Sequence, residues 1–186
     1  MIDLRVISGF LKGRNIDGFN IDGTRPTMDR VKESIFSIIQ SYIKDSTVLD
    51  LFSGSGNLGI ECISNLCNKC YFVDNNIKSI SIIKKNVNDM RINDQSIIIK
   101  DDYVNALHYF KNNKIKFDIV FLDPPYKKIV IDEVINYLLK NDLLNEEAII
   151  ICEFENSSIK KDYNELSLFK EKKYGSKEVT IFKKII

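Results

Sequence analysis

The chain of 186 residues has a single histidine, His108, so a metal centre built on several histidines is excluded. Its four cysteines are also poorly placed for a metal. Cys62, Cys67 and Cys70 match a C-x4-C-x2-C spacing, with Cys152 as a conceivable fourth ligand. However, Cys62 falls on an apolar-periodic helix and Cys70 opens a strand, so the thiols share no loop. Reduced, structural cysteines and no metal are expected. An excess of either charge is missing too. Lys+Arg of 27 against Asp+Glu of 26 leaves a net charge of +1, and any nucleic-acid contact must come from local patches. No apolar run approaches the roughly 20 residues of a membrane span, and Asp3 and Arg5 interrupt the start where a signal segment would lie. A cytoplasmic protein without membrane contact is the expectation. Repeats and low-complexity linkers are absent, and 44% hydrophobic content suffices for one core, so residues 1–186 are read as a single domain.

What is present concentrates in two short segments. The apolar run Phe117–Leu122 ends in Asp123-Pro124-Pro125-Tyr126. Proline fixes φ and offers no N–H, and it keeps the preceding residue out of the α region, so the turn is stiff and its carbonyls are held in one direction. An acid, a fixed carbonyl and an aromatic ring at a strand end suit a flat base with an exocyclic amine. Asp123 and the Pro124 carbonyl accept the amine protons, and Tyr126 stacks on the ring. A solvated turn is the competing reading of such a motif taken alone.

The second segment is upstream. Thr47–Phe52 reads as a buried strand, followed by Ser53-Gly54-Ser55-Gly56-Asn57-Leu58-Gly59 and the apolar-periodic Leu58, Ile60, Ile63 and Leu66. Glycines permit positive φ and close approach of a ligand, and a helix start offers unpaired N–H groups to an anionic group. Gly54-x-Gly56-x-x-Gly59 is also a dinucleotide fingerprint. Asp50, just ahead of the glycines, repels a pyrophosphate but receives an ammonium. Asp74, closing the strand Lys69–Val73, accepts from ribose hydroxyls. A zwitterionic end and a nucleoside end together describe S-adenosylmethionine.

Further stretches connect these segments to a family. Arg5–Gly9 with Lys12-Gly13-Arg14, Thr24–Phe36 (T-R-P-T-M-D-R-V-K-E-S-I-F), Leu49–Gly56, Phe121–Tyr126 and Lys173-Tyr174-Gly175 span almost the whole chain. With them the sequence resembles the RsmD-type class I S-adenosylmethionine-dependent methyltransferases, which act on the guanine N2 amine of bacterial small-subunit ribosomal RNA. The glycine loop and D-P-P-Y alone indicate only some amino-methyltransferase. The R-P-T-x-D-R-V-K-E stretch narrows the family. Asn57 and Cys62 depart from it, standing where small residues such as alanine are usual.

The resemblance implies a cofactor set of Asp50, Phe52, Gly54, Ser55, Gly56, Gly59, Asp74 and Asn75. Asp102, or else Asp101, contacts the adenine amine. Thr27, Arg30 and Glu33 belong to an element closing over the cofactor. Lys12, Arg14, Arg25, Lys127 and Lys128 become phosphate contacts on the same mouth, and the catalytic clamp is Asp123, Pro124, Pro125 and Tyr126. The partner implied is ribosomal RNA or an assembly intermediate with its proteins, with the enzyme a monomer. Transfer RNA guanine or DNA adenine is the alternative target. A nicotinamide oxidoreductase leaves D-P-P-Y unexplained, and a silent RNA-binding protein needs neither both acids nor the loop.

Alternating strands and helices from Thr47 to Phe154 require a parallel sheet with right-handed crossovers. Strands are expected near 47–52, 69–74, 96–101, 117–123 and 147–154, and helices over 57–66, 76–90, 102–112 and 128–141. Strands near 167–173 and 178–185 add a closing hairpin, giving a Rossmann-like α/β fold of seven strands with an antiparallel final strand. Residues 1–44 form an extension to the 45–186 core. It comprises a hairpin through Leu4–Ile16, a loop over Gly18–Gly23 and a helix near 27–43. That helix docks by Val31, Ile35, Ile38, Ile39 and Tyr42, leaving Arg25, Arg30, Lys32 and Glu33 on its polar face.

Overall fold

The order of elements is β1 (Leu4–Arg5), β2 (Asn15–Ile16), α1 (Arg25–Ile43), β3 (Thr47–Asp50), α2 (Asn57–Ser64), β4 (Lys69–Asp74), α3 (Ile77–Met90), β5 (Ser96–Lys100), α4 (Tyr103–Asn112), β6 (Phe117–Leu122), α5 (Lys128–Lys140), β7 (Leu144–Glu155), β8 (Leu166–Tyr174) and β9 (Lys177–Lys184). This computed structural model describes residues 4–19, 25–124, 128–155 and 159–185, with backbone alone at 25–28 and 128–129. Seven strands form one sheet in the order β5-β4-β3-β6-β7-β9-β8. Strands β5, β4, β3, β6 and β7 run parallel, and β9 is antiparallel to both its neighbours. The expected fold is the observed one.

Because successive side chains alternate between the faces of a strand, sequence parity decides which layer each residue enters. Val48, Cys70, Phe72, Ile119, Phe121, Ile149, Ile151, Val179 and Ile181 pack with α1, α2 and α3. Leu49, Tyr71, Val73, Val120, Leu122, Ile150, Cys152 and Phe182 pack with α4 and α5 on the other side. With both faces covered, the central strands read as near-continuous apolar runs. Phe36 of α1 stacks on Phe121 with ring centroids 6.0 Å apart, which anchors that helix over the middle of the sheet. The same parity carries to the strand ends. Asp50, Asp123, Glu153 and Lys177 share the numbering phase of Val48, Phe121, Ile151 and Val179, and so turn toward the layer that α1 covers.

Strand β7 starts earlier than the expected 147. Leu144 pairs with Phe117 before a bulge, and regular pairing resumes at Ile119 with Ile149. The polar Asn145 and Glu146 fall before the strand start expected from sequence. Glu147 has φ of 59°, and Asn145 donates to Asp118 Oδ1 at 2.8 Å, which keeps the bulge on the sheet. The four cysteines are free and buried in the core, and burial pushes their thiols up. No helix among the described residues is long and apolar enough to cross a membrane.

The N-terminal hairpin forms as expected, Leu4 pairing with Ile16. A buried ion pair fixes it. Lys32 Nζ lies 3.1 Å from Glu61 Oε2 with side chains 3% and 0% exposed, and donates to the Arg5 carbonyl at 2.6 Å. Glu61 Oε1 accepts from Ser8 N and Ser8 Oγ, each at 2.8 Å, and Glu61 Oε2 from Ile7 N at 3.1 Å. Lys32 is therefore not on the polar face of its helix, as the sequence suggested. Its charge is held inward by a carboxylate that the apolar context of α2 conceals.

Candidate functional site

The carboxyl ends of β3, β4, β5, β6 and β7 open into one crevice with two lobes that share Phe19, Phe52, Gly54 and Asp123. The inner lobe, about 220 Å³, is bounded by Asp50, Ser53, Ser55, Asn57, Glu153 and Lys177, with Lys32 and Ile35 of α1 above. The outer lobe, about 600 Å³, is bounded by Asp74, Asn75, Asp101, Asp102, Tyr103 and Pro124. Ligands of open α/β sheets bind in such crevices beyond the strand ends. Asp50, Asp74, Asp101, Asp102, Asp123 and Glu153 face only Lys32 and Lys177 among the charged lining residues. A surface of that sign repels a pyrophosphate and admits a cation.

Asp50 ends β3 with 3% exposure, and Gly59 N donates to its Oδ2 at 3.2 Å. Burial, aided by the nearby Asp74, pushes its carboxyl up to about 7 against the pull of that hydrogen bond. Among the described residues no cation pairs with it, and it lines the inner lobe. The loop behind it is tightly built. Gly56 donates to the Ser53 carbonyl at 2.7 Å and caps α2 with φ of 80°. Asn86 of α3, 2% exposed, donates to the Ser55 carbonyl at 3.0 Å and the Asp17 carbonyl at 2.9 Å. Asn57 Oδ1 accepts from Lys32 Nζ at 2.9 Å. The bulk at Asn57 thus helps to hold the cation over the lobe.

Asp123 follows β6 and stands at the junction of the lobes. Its side chain is exposed to the crevice, a recess that partly shields it from bulk water. That partial removal from bulk water, then the charge of Glu153, pushes its carboxyl up to about 7, with Lys177 opposing. Since Leu122 pairs with Cys152, Asp123 and Glu153 leave neighbouring parallel strands side by side. Glu153 is 12% exposed and ion-paired with Lys177 of β9. Attraction by Glu153, Asp123 and Glu155 outweighs burial and raises the Lys177 ammonium above its ordinary range.

In the outer lobe Asp74 Oδ2 accepts from Gly54 N at 2.9 Å and Oδ1 from Asn76 N at 2.8 Å, which fixes the carboxylate. Each oxygen retains an acceptor direction for a ligand hydroxyl. Of the acidic doublet, Asp102 is the cap of α4, its two oxygens accepting from Asn105 N at 2.9 Å and Asn105 Nδ2 at 3.0 Å. Asp101 Oδ1 accepts from Asp102 N at 2.9 Å. Its Oδ1 also accepts from Asn105 Nδ2 at 3.0 Å, so each acid of the doublet accepts two hydrogen bonds, and Asp101 Oδ2 is the one carboxylate oxygen of the doublet without a donor among the described residues. Phe52 and Tyr103 pack at 5.7 Å and form an aromatic wall.

The structure gathers Asp50, Phe52, Gly54, Ser55, Asp74, Asn75, Asp101, Asp102, Asp123 and Pro124 around one crevice. Gly56 and Gly59 lie behind it. A Cβ on Gly59 would come within 2.3 Å of Phe72 and 2.6 Å of the Cys70 sulfur, so that glycine serves close packing of α2 on β4. Arg30 and Glu33 are exposed and line neither lobe. Pro125, Tyr126 and Lys127 lie outside the described residues. Arg25, Thr27 and Lys128 are described in backbone only.

Lys12 and Arg14 do not stand on the mouth. Phe10 N bonds to the Ser64 carbonyl at the end of α2, and Arg14 Nη2 to the Asp89 carbonyl near the end of α3. Helices returning between parallel strands end at the opposite rim of the sheet from the strand carboxyl ends, so this hairpin tip is remote from the crevice. Sequence reading missed Glu153, Lys177, Phe19 and Lys32. Glu153 was legible in principle, as an acid in the last turns of an apolar strand with the parity of its neighbours' acids.

Residues 4–183 match the family model described as Conserved hypothetical protein 95. The Bacillus subtilis protein YlbH is 35% identical over 182 residues, 97% of this chain and 99% of that protein. Ribosomal RNA small subunit methyltransferase D of Haemophilus influenzae is 34% identical over 174 residues, 93% of this chain and 90% of that protein. Among solved structures, Escherichia coli yhhF has a TM-score of 0.85 at 26% identity, covering 98% of both chains. A solved structure in complex with SAH has a TM-score of 0.76 at 15% identity, over 92% of this chain and 54% of that one, and shows a shared fold.

Proposed function

The chain belongs to the Conserved hypothetical protein 95 family, the RsmD family, and from that premise we propose that it transfers a methyl group from S-adenosylmethionine to the N2 amine of a guanine in small-subunit ribosomal RNA. The observation that carries this reading is the place of Asp123, shared by both lobes of the crevice and adjoining the lobe that holds the buried, unneutralised Asp50. A cofactor with an ammonium at one end and a nucleoside at the other fits that distribution. S-adenosylmethionine supplies a methyl electrophile on a sulfonium.

The residues of the chain do the rest. Asp50 receives the ammonium. Asp74 and Asp101 accept from ribose and adenine donors, and Phe52 with Tyr103 walls the nucleoside. Asp123 and the Pro124 carbonyl accept the protons of the target amine, whose lone pair is delocalised into its ring. Drawing on those protons favours a pyramidal nitrogen, and the stabilisation grows as positive charge develops there. Placement is the main task, because the methyl is already activated. A base in a duplex must first be extruded to reach this depth.

The test is transfer of labelled methyl to purified small-subunit RNA and to assembly intermediates, with DNA and transfer RNA as comparisons, followed by nucleoside analysis of the product. N2-methylguanosine in the ribosomal RNA is expected. Asp123→Ala lowers turnover by roughly two to four orders of magnitude with little change in cofactor affinity. Near-normal turnover in that variant, or transfer confined to DNA or transfer RNA, refutes the assignment.

A further inference from the structure

Of the acids in the inner lobe, Glu153 alone has no task in the transfer so far described. It is 12% exposed, lines the lobe with Asp123, and is held by its ion pair with Lys177. Carboxyl ends of neighbouring strands lie about 4.8 Å apart, so Asp123 and Glu153 present two acceptors to one edge of a flat ligand. We propose that Glu153 determines which base is methylated, its carboxylate accepting from guanine N1–H while Asp123 accepts from the adjoining 2-amine. This deepens the guanine assignment above and rests on it.

The chemistry of base edges gives the selectivity. Guanine carries two neighbouring donors, N1–H and the 2-amine. Adenine and cytosine set a ring nitrogen acceptor beside their amines. A carboxylate oxygen set against such an acceptor repels it and is left without a donor in the lobe, which costs more than an ordinary hydrogen bond gains. Extruded bases are read on this edge by side chains of the pocket. Lys177 serves through Glu153, holding its side chain in place by the ion pair. A pair of carboxylates from adjoining strands is therefore a donor-donor reader.

The experiment uses the full chain and an RNA fragment carrying the nucleotide methylated in the assay above. That nucleotide is synthesised as guanosine, 2-aminopurine ribonucleoside or 2,6-diaminopurine ribonucleoside. All three keep the 2-amine, only guanosine has N1–H, and the analogues differ from each other at C6. The wild type favours guanosine in kcat/KM over both analogues by on the order of tenfold or more. In Glu153→Gln, whose amide both accepts and donates, that preference falls to about threefold or less for both analogues alike. Anisotropy titration of the same RNAs without cofactor shows the same loss of preference. Because each figure is a ratio within one protein, partial misfolding of the variant cancels. Equal use of the three bases by the wild type, or undiminished preference in Glu153→Gln, overturns the role of Glu153 while leaving the methyl-transfer reading standing. Failure of the wild type to methylate guanosine in the fragment, in small-subunit RNA and in assembly intermediates overturns both.

Discussion

Replacing Asp50 by Asn separates the stability of the protein from its function and gives the separation a pH signature. The buried carboxyl is pushed from 3.8 up to about 7. Between those values the folded chain keeps a proton that the unfolded chain has released, so stability falls as pH rises through that window. At 1.36 kcal/mol per pKa unit the ionised folded state bears a penalty of up to about 4 kcal/mol, and relaxation of the lobe reduces this to roughly 2–4 kcal/mol. Asparagine removes the titration while its carbonyl still accepts from Gly59 N–H. Urea unfolding of both proteins without cofactor, from pH 4 to pH 8, reads the difference. The variant should gain little at pH 4, progressively more through pH 5 and 6, and roughly 2–4 kcal/mol above pH 7. Calorimetric titration with S-adenosylmethionine should show the opposite cost, a roughly 10- to 100-fold loss of affinity in Asp50→Asn for want of a charged partner. A stability difference that does not change with pH, or a wild type that is the more stable at pH 8, refutes the account of Asp50.

Other outcomes follow from the same groups. At saturating cofactor, kcat should rise about tenfold between pH 6 and pH 8 as Asp123 loses its proton near pH 7, since the ionised carboxylate is the stronger acceptor and stabilises the positive charge developing on the amine; Asp123→Asn should flatten that limb along with the rate. Lys32→Met leaves Glu61, at 0% exposure, without its ion-pair partner and should cost about 3 kcal/mol in urea unfolding. Hydrogen exchange should then quicken at Ile7 and Ser8, the amides that Glu61 holds, before it quickens in the sheet.

The architecture was readable because strand alternation, glycine placement and helical periodicity all point one way from Thr47 to Phe154. The acids at strand ends were readable for a related reason: a charged residue closing an apolar run has nowhere to go but the sheet's rim. Arg14 shows the limit of that reasoning. Its neighbourhood in sequence says that it is basic and near a hairpin. Which rim the hairpin tip reaches depends on the Phe10 to Ser64 and Arg14 to Asp89 contacts, which join residues 54 and 75 positions apart. Lys32 failed for a different cause. Helical phase places it at the edge of the apolar face, and only the buried Glu61, a residue on another helix, decides that its ammonium turns inward. Glu153 was overlooked because it falls inside the expected strand 147–154 and does not close it, so it does not read as an acid at a strand end.

Asn86 adds to the ties that Lys32 and Glu61 make between the N-terminal hairpin and the start of α2. One primary amide on α3 spans the Ser55 carbonyl in the glycine turn and the Asp17 carbonyl just after the N-terminal hairpin, and its own carbonyl accepts from Asp17 N at 2.8 Å. Each half of the contact is sound only while the amide stays in one rotamer. A tenant seated on the glycine turn therefore also steadies residues 4–19, and loosening of those residues is felt at once by the turn.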